Sequence, residues 1–487
     1  MFSIPHFFPR FFLSCPCKRK VTAFLPPLLR LGVVSALCFA ALPGLAPEVR
    51  AEPTEATPTP GASLIPEGAA DATPDAGADR EAARVPGWNV VVRDIPGTPP
   101  RMVVVDKSVQ RLHLYERRSP LTLKETFTCT TGQRTGDKLV SGDRRTPEGI
   151  YFVTTKIDKG LDFQEYGGIA HTLNYPNPVD RLRGKTGYGI WIHSKGRPIS
   201  PLETKGCIAV NLDDIKRLGE DLPLGTAVVV ADSVRSDSAG SGTDSAISRM
   251  LEKKTRDWNA AWAGRSRGMF DFYMPESYSK AQGENFQAFR AQKERLFGSL
   301  AWIQIIHGPV HILQGPDYWV SWFTQYYRAP NLSTEGVRRL YWQPDAQGEL
   351  RIVGMEWLPM DLGMETAYLE TVTPSAAAFI ERWRKAWLAG DVAAYAACYA
   401  PNATQAGRKG AAAIAQHKRA TWAQKKPARV DLSGLRVMVV QGGVKVDMMQ
   451  TYRDTSGYQD KGVKTVMLHP QGESWLIASE DWSAVPK

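Results

Sequence analysis

The sequence predicts a mainly β domain followed by two copies of an α+β domain, and three observations support that prediction. Short β-rich runs between Gly, Pro and Asp clusters fill residues 86–233, as expected of a sandwich or a partly open barrel. Sequence similarity then recurs at an offset of 124 to 126 residues, which indicates a duplicated domain. A stretch rich in Pro and Ala precedes the β domain, and a second predicted linker, Ser236 to Gly242, separates it from the repeats.

Residues 1–51 have the pattern of a signal peptide. Basic residues precede an uncharged run from Leu31 to Pro47, and the small-residue site Val49-Arg50-Ala51 follows it. Because this run is shorter than the ~20 apolar residues that span a bilayer, we expect cleavage after Ala51 and no stable membrane span. The alternative is an uncleaved anchor. Residues 52–85 lack aromatic residues and are predicted to form a disordered linker.

Charge and cysteine content exclude several classes of function. The net charge is +10, and removal of residues 1–51, with six basic residues and one acidic residue, lowers it to +5. This balance gives no reason to expect a nucleic-acid partner. Three of the six cysteines remain, Cys129, Cys207 and Cys398, so no disulfide framework is implied and one thiol at least stays free. No spacing resembles a zinc site, and we expect neither a metal nor another cofactor.

The region 86–233 is predicted to hold seven strands and one short helix. The helix, Leu212 to Leu218, has Asp213 and Asp214 in its first turn, where acidic side chains are favourable. The predicted strands are Asn89 to Val92, Met102 to Val105, Arg111 to Tyr115, Thr126 to Thr130, Ile150 to Thr154, Gly189 to His193 and Thr226 to Ala231.

One stretch of this domain, Ile190 to Asp214, carries the residues for a nucleophilic reaction. His193 ends an apolar strand, and Cys207 follows a polar loop and opens a second apolar segment. A thiol needs a neighbouring base because only about 3% of it is ionised at neutral pH. Gly206 would let the backbone pass close to a reacting carbonyl and aim N–H groups at an oxyanion. On these residues alone, a buried Cys and a core His remain an alternative.

Three ordered motifs resemble the L,D-transpeptidase catalytic domain family. They are Gly142 to Gly149, Thr172 to Asn177, and Thr204 to Ile208 with His193 upstream. The resemblance covers about residues 100–232 and implies a mainly β fold. Two positions depart from the family pattern, since Lys205 replaces a His and Ala209 replaces an Arg or Asn.

The resemblance also implies the chemistry and the location. Cys207 is the expected nucleophile, His193 the general base and acid, and Gly206 a source of oxyanion-binding backbone. The expected partners are peptidoglycan stem peptides, in the periplasm or cell envelope of a bacterium. Residues expected to line the substrate cleft are His171, Asn174, Tyr175, Thr204 and Lys205. The run Asn174 to Asn177 is open to another interpretation, because Asn and Pro favour structural turns.

Three functions stay open at this stage. The first is a cysteine L,D-transpeptidase acting on the diaminopimelate–D-alanine bond through a thioester. The second is an L,D-carboxypeptidase or amidase that hydrolyses the same acyl-enzyme and so trims the wall to set cell shape. The third is a catalytically decayed wall-binding protein. We expect Cys207 to be the only reactive thiol of the mature chain, because Cys129 and Cys398 lie in apolar patterns where burial shields a thiol. With His193 as its activator, Cys207 should be alkylated at a lower pH than a free thiol.

The duplication is clearest in two pairs of tryptophans. Trp258 and Trp262 are matched by Trp383 and Trp387, and the i, i+4 spacing puts each pair on one helix face. The simplest interpretation of these rings is core packing.

The repeated domains are predicted at residues 245–360 and 372–487. In each, a helix precedes strand-like segments that end in an aromatic residue. This order resembles the cone-shaped nuclear transport factor two-like fold, in which a helix covers a curved sheet. The four histidines of this region show no mutual spacing that suggests a metal.

Overall fold

A computed structural model describes residues 87–118, 120–237 and 242–485. The predicted signal peptide at 1–51 and linker at 52–85 lie outside the described residues. None of the helices in the described part combines the length and the apolar character needed to cross a membrane.

The first domain is built on a closed eight-stranded barrel, in which β2 and β9 pair side by side and close the ring. A separate two-stranded parallel sheet, β1 with β10, lies outside it. Its strands are β1 (Asn89–Val92), β2 (Arg101–Asp106), β3 (Arg111–Arg117), β4 (Leu121–Thr130), β5 (Gly149–Ile157), β6 (Ala170–Leu173), β7 (Trp191–Ser194), β8 (Ile208–Val210), β9 (Ala227–Ala231) and β10 (Ser233–Ser236). Its helices are α1 (Phe163–Tyr166), α2 (Pro178–Leu182) and α3 (Leu212–Gly219).

The barrel confirms the mainly β prediction. All seven predicted strands and the predicted helix are present, although β4 begins at Leu121 rather than Thr126. The strand prediction omitted the short strand β6, whose four residues include the polar His171 and Thr172. It also omitted β8, which has only three residues, and β10, whose four residues Ser233 to Ser236 are mostly polar.

The first repeat comprises residues 242–359. A long helix and two shorter helices precede a sheet with the order β11-β13-β14-β15, and β12 also pairs with β13. The elements are α4 (Gly242–Ala263), a 3₁₀ helix (Arg267–Phe272), α5 (Pro275–Gln282), α6 (Phe286–Ser299), β11 (Gln304–His307), β12 (His311–Gln314), β13 (Trp319–Ala329), β14 (Leu332–Pro344) and β15 (Leu350–Pro359).

The second repeat comprises residues 364–484 and has the same plan. Its sheet has the order β17-β16-β21-β20-β19-β18. The elements are α7 (Met364–Ala389), α8 (Val392–Ala396), β16 (Tyr399–Gln405), β17 (Arg408–Lys409), α9 (Ala411–Gln424), β18 (Pro427–Val440), β19 (Gly443–Asp454), β20 (Gln459–Gln471) and β21 (Ser474–Ala484).

The paired tryptophans lie in the cores of both repeats. Trp258 and Trp383 are 1% and 0% exposed, and their partners Trp262 and Trp387 are also buried. The two rings of each pair are 5.2 Å and 5.4 Å apart. Core packing is therefore the role that the structure gives these side chains.

The barrel and the first repeat share a hydrophobic core. Outward-facing residues of β2, β5 and β9 pack against the outer face of the sheet β12 to β15. The Phe152 ring of the barrel and the Trp322 ring pack in a T-shaped arrangement, with their centroids 5.1 Å apart. The first repeat is therefore joined to the barrel by a packed face.

Candidate active site

Strand pairing brings the two predicted catalytic residues together. β7 and β8 are parallel neighbours, with Ile192 opposite Ile208 and His193 opposite Ala209. Ile192 and Ile208 point into the barrel core. Because side chains alternate along a strand, His193 and Cys207 both lie on the opposite, outer face. Cys207 directly precedes β8 and occupies the position diagonal to His193.

The loop before the nucleophile is braced by hydroxyl groups. Thr204 Oγ1 accepts from the Gly206 N–H at 3.1 Å and donates to the Cys207 carbonyl oxygen at 2.7 Å. Thr146, from the Gly142–Gly149 motif, reaches the same carbonyl at 3.4 Å. Gly206 has φ +134°, and a Cβ there would lie 3.0 Å from the Arg145 carbonyl oxygen. Only glycine fits this loop without strain.

The Cys207 thiol is neutral in the resting site. It is half-buried and donates to the Gly189 carbonyl oxygen at 3.4 Å. Burial raises the pKa of Cys207 to about 11, against smaller lowering effects of the Trp191 backbone N–H, Lys138 and Lys195. The prediction that Cys207 has a lower pKa than a free thiol is therefore wrong for the site without substrate. The effect of burial on the pKa outweighs that of the nearby cations.

His193 is buried and its tautomer is fixed by a neighbour. Nδ1 lies 2.6 Å from the carbonyl oxygen of Ser194, which can only accept. Nδ1 therefore carries the proton, and Nε2 is left as the acceptor. Burial lowers the pKa of His193 to about 4, although the Ser194 hydrogen bond opposes this. The imidazole is thus a neutral base at physiological pH.

Sequence reasoning missed Tyr166, which belongs to this site. Its ring lies 5.2 Å from His193 and 5.1 Å from Trp191. The pKa of Tyr166 is raised by burial and, to a smaller degree, by Cys207. Tyr166 ends a four-residue helix outside the three motifs, so the sequence carried no signal for it. Tyr188, which is 78% exposed beside Gly189, was also missed.

His171 does not belong to the cleft, which corrects the prediction. In β6 it pairs opposite Ile192, so its side chain points into the barrel rather than toward Cys207. It is fully buried, both ring nitrogens are without hydrogen-bond partners, and Nε2 lies against Gly219 of α3. Burial lowers the pKa of His171 to about 4.

Asn174 and Tyr175 are also structural rather than cleft residues. The Asn174 side chain accepts from the Phe152 N–H at 2.7 Å and donates across the domain boundary to Glu356 at 2.8 Å. Tyr175 is buried in the barrel core and donates to the Thr186 carbonyl oxygen at 3.1 Å. The alternative of a structural turn from Asn174 to Asn177 therefore fits the structure.

The remaining predicted residues, Thr204, Lys205 and Gly206, directly precede the nucleophile but differ in whether their polar groups are free to contact a substrate. Thr204 is buried, and its hydroxyl is occupied within the loop. The Gly206 N–H is bound to Thr204, so it is not free to hold an oxyanion in this arrangement. Lys205 is exposed beside them and is the one of the three that faces solvent.

The other two thiols in the described part of the chain are shielded. Cys129 is 1% exposed in the barrel core, and burial raises its pKa to about 12. Cys398 is buried in the turn between α8 and β16, and burial also raises its pKa. Cys207 is the most exposed of the three.

Comparisons with known proteins agree with this architecture. Residues 100–230 match the family model of the L,D-transpeptidase catalytic domain, YkuD, and residues 250–356 and 375–481 each match the Cds6 C-terminal NTF2-like domain. Among solved structures, Bd1075 of Bdellovibrio bacteriovorus is 26% identical, with a TM-score of 0.43 over 55% of this chain and 97% of that chain. The helical cell shape determining protein Pgp2 of Campylobacter jejuni is 23% identical, with a TM-score of 0.41 over 53% and 91%. A search of curated proteins gave no match. The chain thus carries an L,D-transpeptidase catalytic domain followed by two Cds6-type NTF2-like domains.

Proposed function

We propose that this protein is an exported peptidoglycan-modifying enzyme that acts through a Cys207 thioester. Cys207 attacks the carbonyl on the L-centre of diaminopimelate and releases the terminal D-alanine. The observation that carries this proposal is the parallel pairing of β7 and β8, which sets His193 and Cys207 on one outer face. The matching catalytic-domain family supplies the substrate class.

The electrostatics favour proton transfer during the attack. Both resting groups are neutral, because burial raises the pKa of Cys207 and lowers that of His193. A preformed thiolate–imidazolium pair is therefore unfavourable. As the carbon–sulfur bond forms, the thiol proton moves to His193 Nε2, and the imidazolium then protonates the leaving D-alanine amine as the amide bond breaks. The Cys207 backbone N–H is the group we assign to the developing oxyanion.

The fate of the thioester separates the two enzymatic alternatives. Attack by an amine of a second stem peptide forms a cross-link and frees the thiol, which is transpeptidation. Attack by water yields a free carboxylate, which is L,D-carboxypeptidase activity, and an amidase would release a wall-linked protein in the same way. Lys205, Tyr166 and Tyr188 lie around the site and are the residues we propose for substrate contact.

Mass analysis of muropeptides tests this function. Purified protein is incubated with tetrapeptide muropeptides, and loss of D-alanine alone indicates trimming, whereas dimers linked between two diaminopimelates indicate transpeptidation. Cys207→Ala should abolish either product, and His193→Ala should slow its formation ~10²- to 10⁴-fold. Cys129→Ala is the matched thiol control and should retain activity. Absence of both products with the unaltered chain would instead favour a decayed, wall-binding protein.

Export is proposed from the signal-like pattern of residues 1–51. Intact-mass measurement on protein from the cell envelope should show a chain that begins at Glu52. A chain that still begins at Met1 would contradict cleavage and favour the alternative, an uncleaved membrane anchor.

A further inference from the structure

The interface between the barrel and the first repeat contains a partly buried polar network. Asn174 Nδ2 donates to Glu356 Oε2 at 2.8 Å and to the Tyr341 hydroxyl at 3.1 Å. The Tyr341 hydroxyl in turn donates to Glu356 at 2.9 Å. Arg339, which is 2% exposed, lies 3.4 Å from the same carboxylate and 4.3 Å above the Phe152 ring of the barrel. One carboxylate of the first repeat therefore gathers three donors, one of which belongs to the barrel.

The turn that Asn174 begins is tied to the segment 185–190. The Tyr175 hydroxyl donates to the Thr186 carbonyl oxygen at 3.1 Å. Lys185 Nζ lies 3.0 Å from Asp180, at the start of α2. These contacts fix the path of segment 185–190 as it approaches β7.

The same segment holds the nucleophile. Its Gly189 carbonyl oxygen accepts from Cys207 Sγ at 3.4 Å. The Ile190 side chain packs against Gly206, with 3.3 Å between its Cδ1 and the place that a Cβ would take there. The contacts therefore run without interruption from the Glu356 carboxylate to the Cys207 sulfur.

We propose that the first repeat completes the catalytic site, with Glu356 as a positioning residue that fixes the Cys207 loop through Asn174 and segment 185–190. This inference rests on the proposed function for its kinetic consequence. Its structural consequence is independent of any substrate. Glu356 contacts no reacting atom, and it acts only by holding the turn that Asn174 begins.

Two conservative variants test this role. Glu356→Gln removes the charge that gathers the donors, and Tyr341→Phe removes one hydroxyl from the same network. We expect amide hydrogen exchange across residues 185–190 to speed up in both. Turnover should fall about tenfold in kcat with KM within about twofold, because substrate contacts remain while the sulfur is misplaced.

The pH dependence of Cys207 alkylation gives a second readout. The groups facing the thiol are His193, Tyr166, Lys138 and Lys195, and none of them is altered. Loosening segment 185–190 weakens the hydrogen bond from the neutral thiol to Gly189 and admits water. Both changes lower the pKa of Cys207, so alkylation by iodoacetamide should reach its midpoint at a lower pH. If a variant has both a lower alkylation midpoint and a lower kcat, the thiol ionises more readily but is no longer held in position for attack.

Tyr273→Phe is the matched control. It removes a buried hydroxyl that bonds Trp258 within the first repeat, at a distance of 3.1 Å, but not at the barrel interface. It should leave exchange across 185–190 and the alkylation midpoint unchanged. The proposal fails if both interface variants show the same exchange rates across 185–190 and the same alkylation midpoint as the unaltered chain. It also fails if Tyr273→Phe changes these two quantities as much as the interface variants do. An unaltered chain without turnover would contradict the proposed function, whereas exchange and alkylation would still decide this inference.

Discussion

The outer faces of the two repeat sheets differ in what they cover. In the first repeat, Val320 and Trp322 lie on the face of β13 that packs against the barrel, and both are buried. In the second, Lys445 and Asp447 stand at the equivalent positions of β19, 125 residues later, and form a half-exposed ion pair of 3.0 Å. Thus β13 of the first copy is buried on both faces, whereas its equivalent β19 in the second copy is buried on one face only.

The cores beneath these sheets differ in a second way. In the first repeat, the Tyr273 hydroxyl meets the Met355 sulfur at 3.9 Å. In the second, the equivalent Tyr399 donates to Glu480, which stands in place of Met355 and is 3% exposed. Lys464 pairs with Glu480 at 2.5 Å.

These differences separate what a duplicated fold must keep from what it can change. Both copies keep the tryptophan pair and a hydrogen bond from its first ring to a tyrosine, at 3.1 Å and 3.2 Å. Only the first copy packs its outer face against the barrel, and only the second has a buried carboxylate, Glu480, at the core position that Met355 fills in the first. The first copy is therefore packed against the barrel, whereas the second contacts the first copy, where Arg328 donates to the Gly443 carbonyl oxygen at 2.9 Å.

Exchanging the residue types at the equivalent outer-face positions Trp322 and Asp447 should give the largest change in the free energy of unfolding. Trp322→Asp should lower the free energy of unfolding by about 5 kcal/mol, because it empties a large buried site and leaves a charge without a partner. Asp447→Trp should cost about 1 kcal/mol or less, because its site is half-exposed. Chemical denaturation measures both changes. Equal costs would show that the two faces are equivalent.

Truncating the shared tryptophans should give equal effects in both copies. Trp258→Ala and Trp383→Ala should each cost about 3 to 5 kcal/mol, because both rings are almost fully buried. Denaturation monitored by the remaining tryptophan fluorescence gives these values. Only Trp258→Ala should also disturb Cys207 alkylation, since its repeat contacts the barrel. A disturbance of the same size from Trp383→Ala would contradict the distinction between the copies.

Acid should weaken the second repeat more than the first. Burial alone would raise the pKa of Glu480, but Lys464 and Lys418 lower it to about 2, below its ordinary value of 4.5. Its stabilisation is therefore complete above pH 4.5 and is lost as the pH falls toward 2, with a size of about 3 kcal/mol. Thermal unfolding between pH 7 and about pH 2 should show this loss. In Glu480→Gln, the loss of stability between about pH 4.5 and pH 2 should be smaller, because this carboxylate is gone. If stability falls with pH as in the unaltered chain, Glu480 is not the group responsible.

The fold followed from the sequence because its signals are local. Short β-rich runs bounded by Gly, Pro and Asp clusters predicted the seven strands, and the i, i+4 tryptophans predicted the two helices that bear them. The motif spacing likewise placed His193 and Cys207 at the ends of neighbouring elements. These predictions needed no knowledge of distant partners.

The errors arose where a distant partner decides the role. Asn174 was assigned to the substrate cleft, but its partner Glu356 lies 182 residues away in another domain. The ionisation of Cys207 was misjudged because burial is a property of the folded site and not of the motif. Tyr166 approaches His193 from a four-residue helix that no periodic pattern marks.

The smallest expected effect concerns the tyrosine that both cores share. Tyr273→Phe should cost about 1 kcal/mol, because it removes a neutral hydrogen bond from Trp258. Tyr399→Phe should cost about 2 to 3 kcal/mol, because its hydroxyl donates to the charged Glu480 as well as accepting from Trp383.

Acid titration then isolates the charged part of that difference. Removing the Tyr399 hydroxyl takes one donor from the Glu480 carboxylate, so the pKa of Glu480 should rise and the acid loss of stability should begin at higher pH. Tyr273→Phe should leave the acid profile unchanged, since its neighbour is Met355. Equal costs and equal acid profiles would mean that the buried charge adds nothing to the second core beyond what Met355 provides in the first.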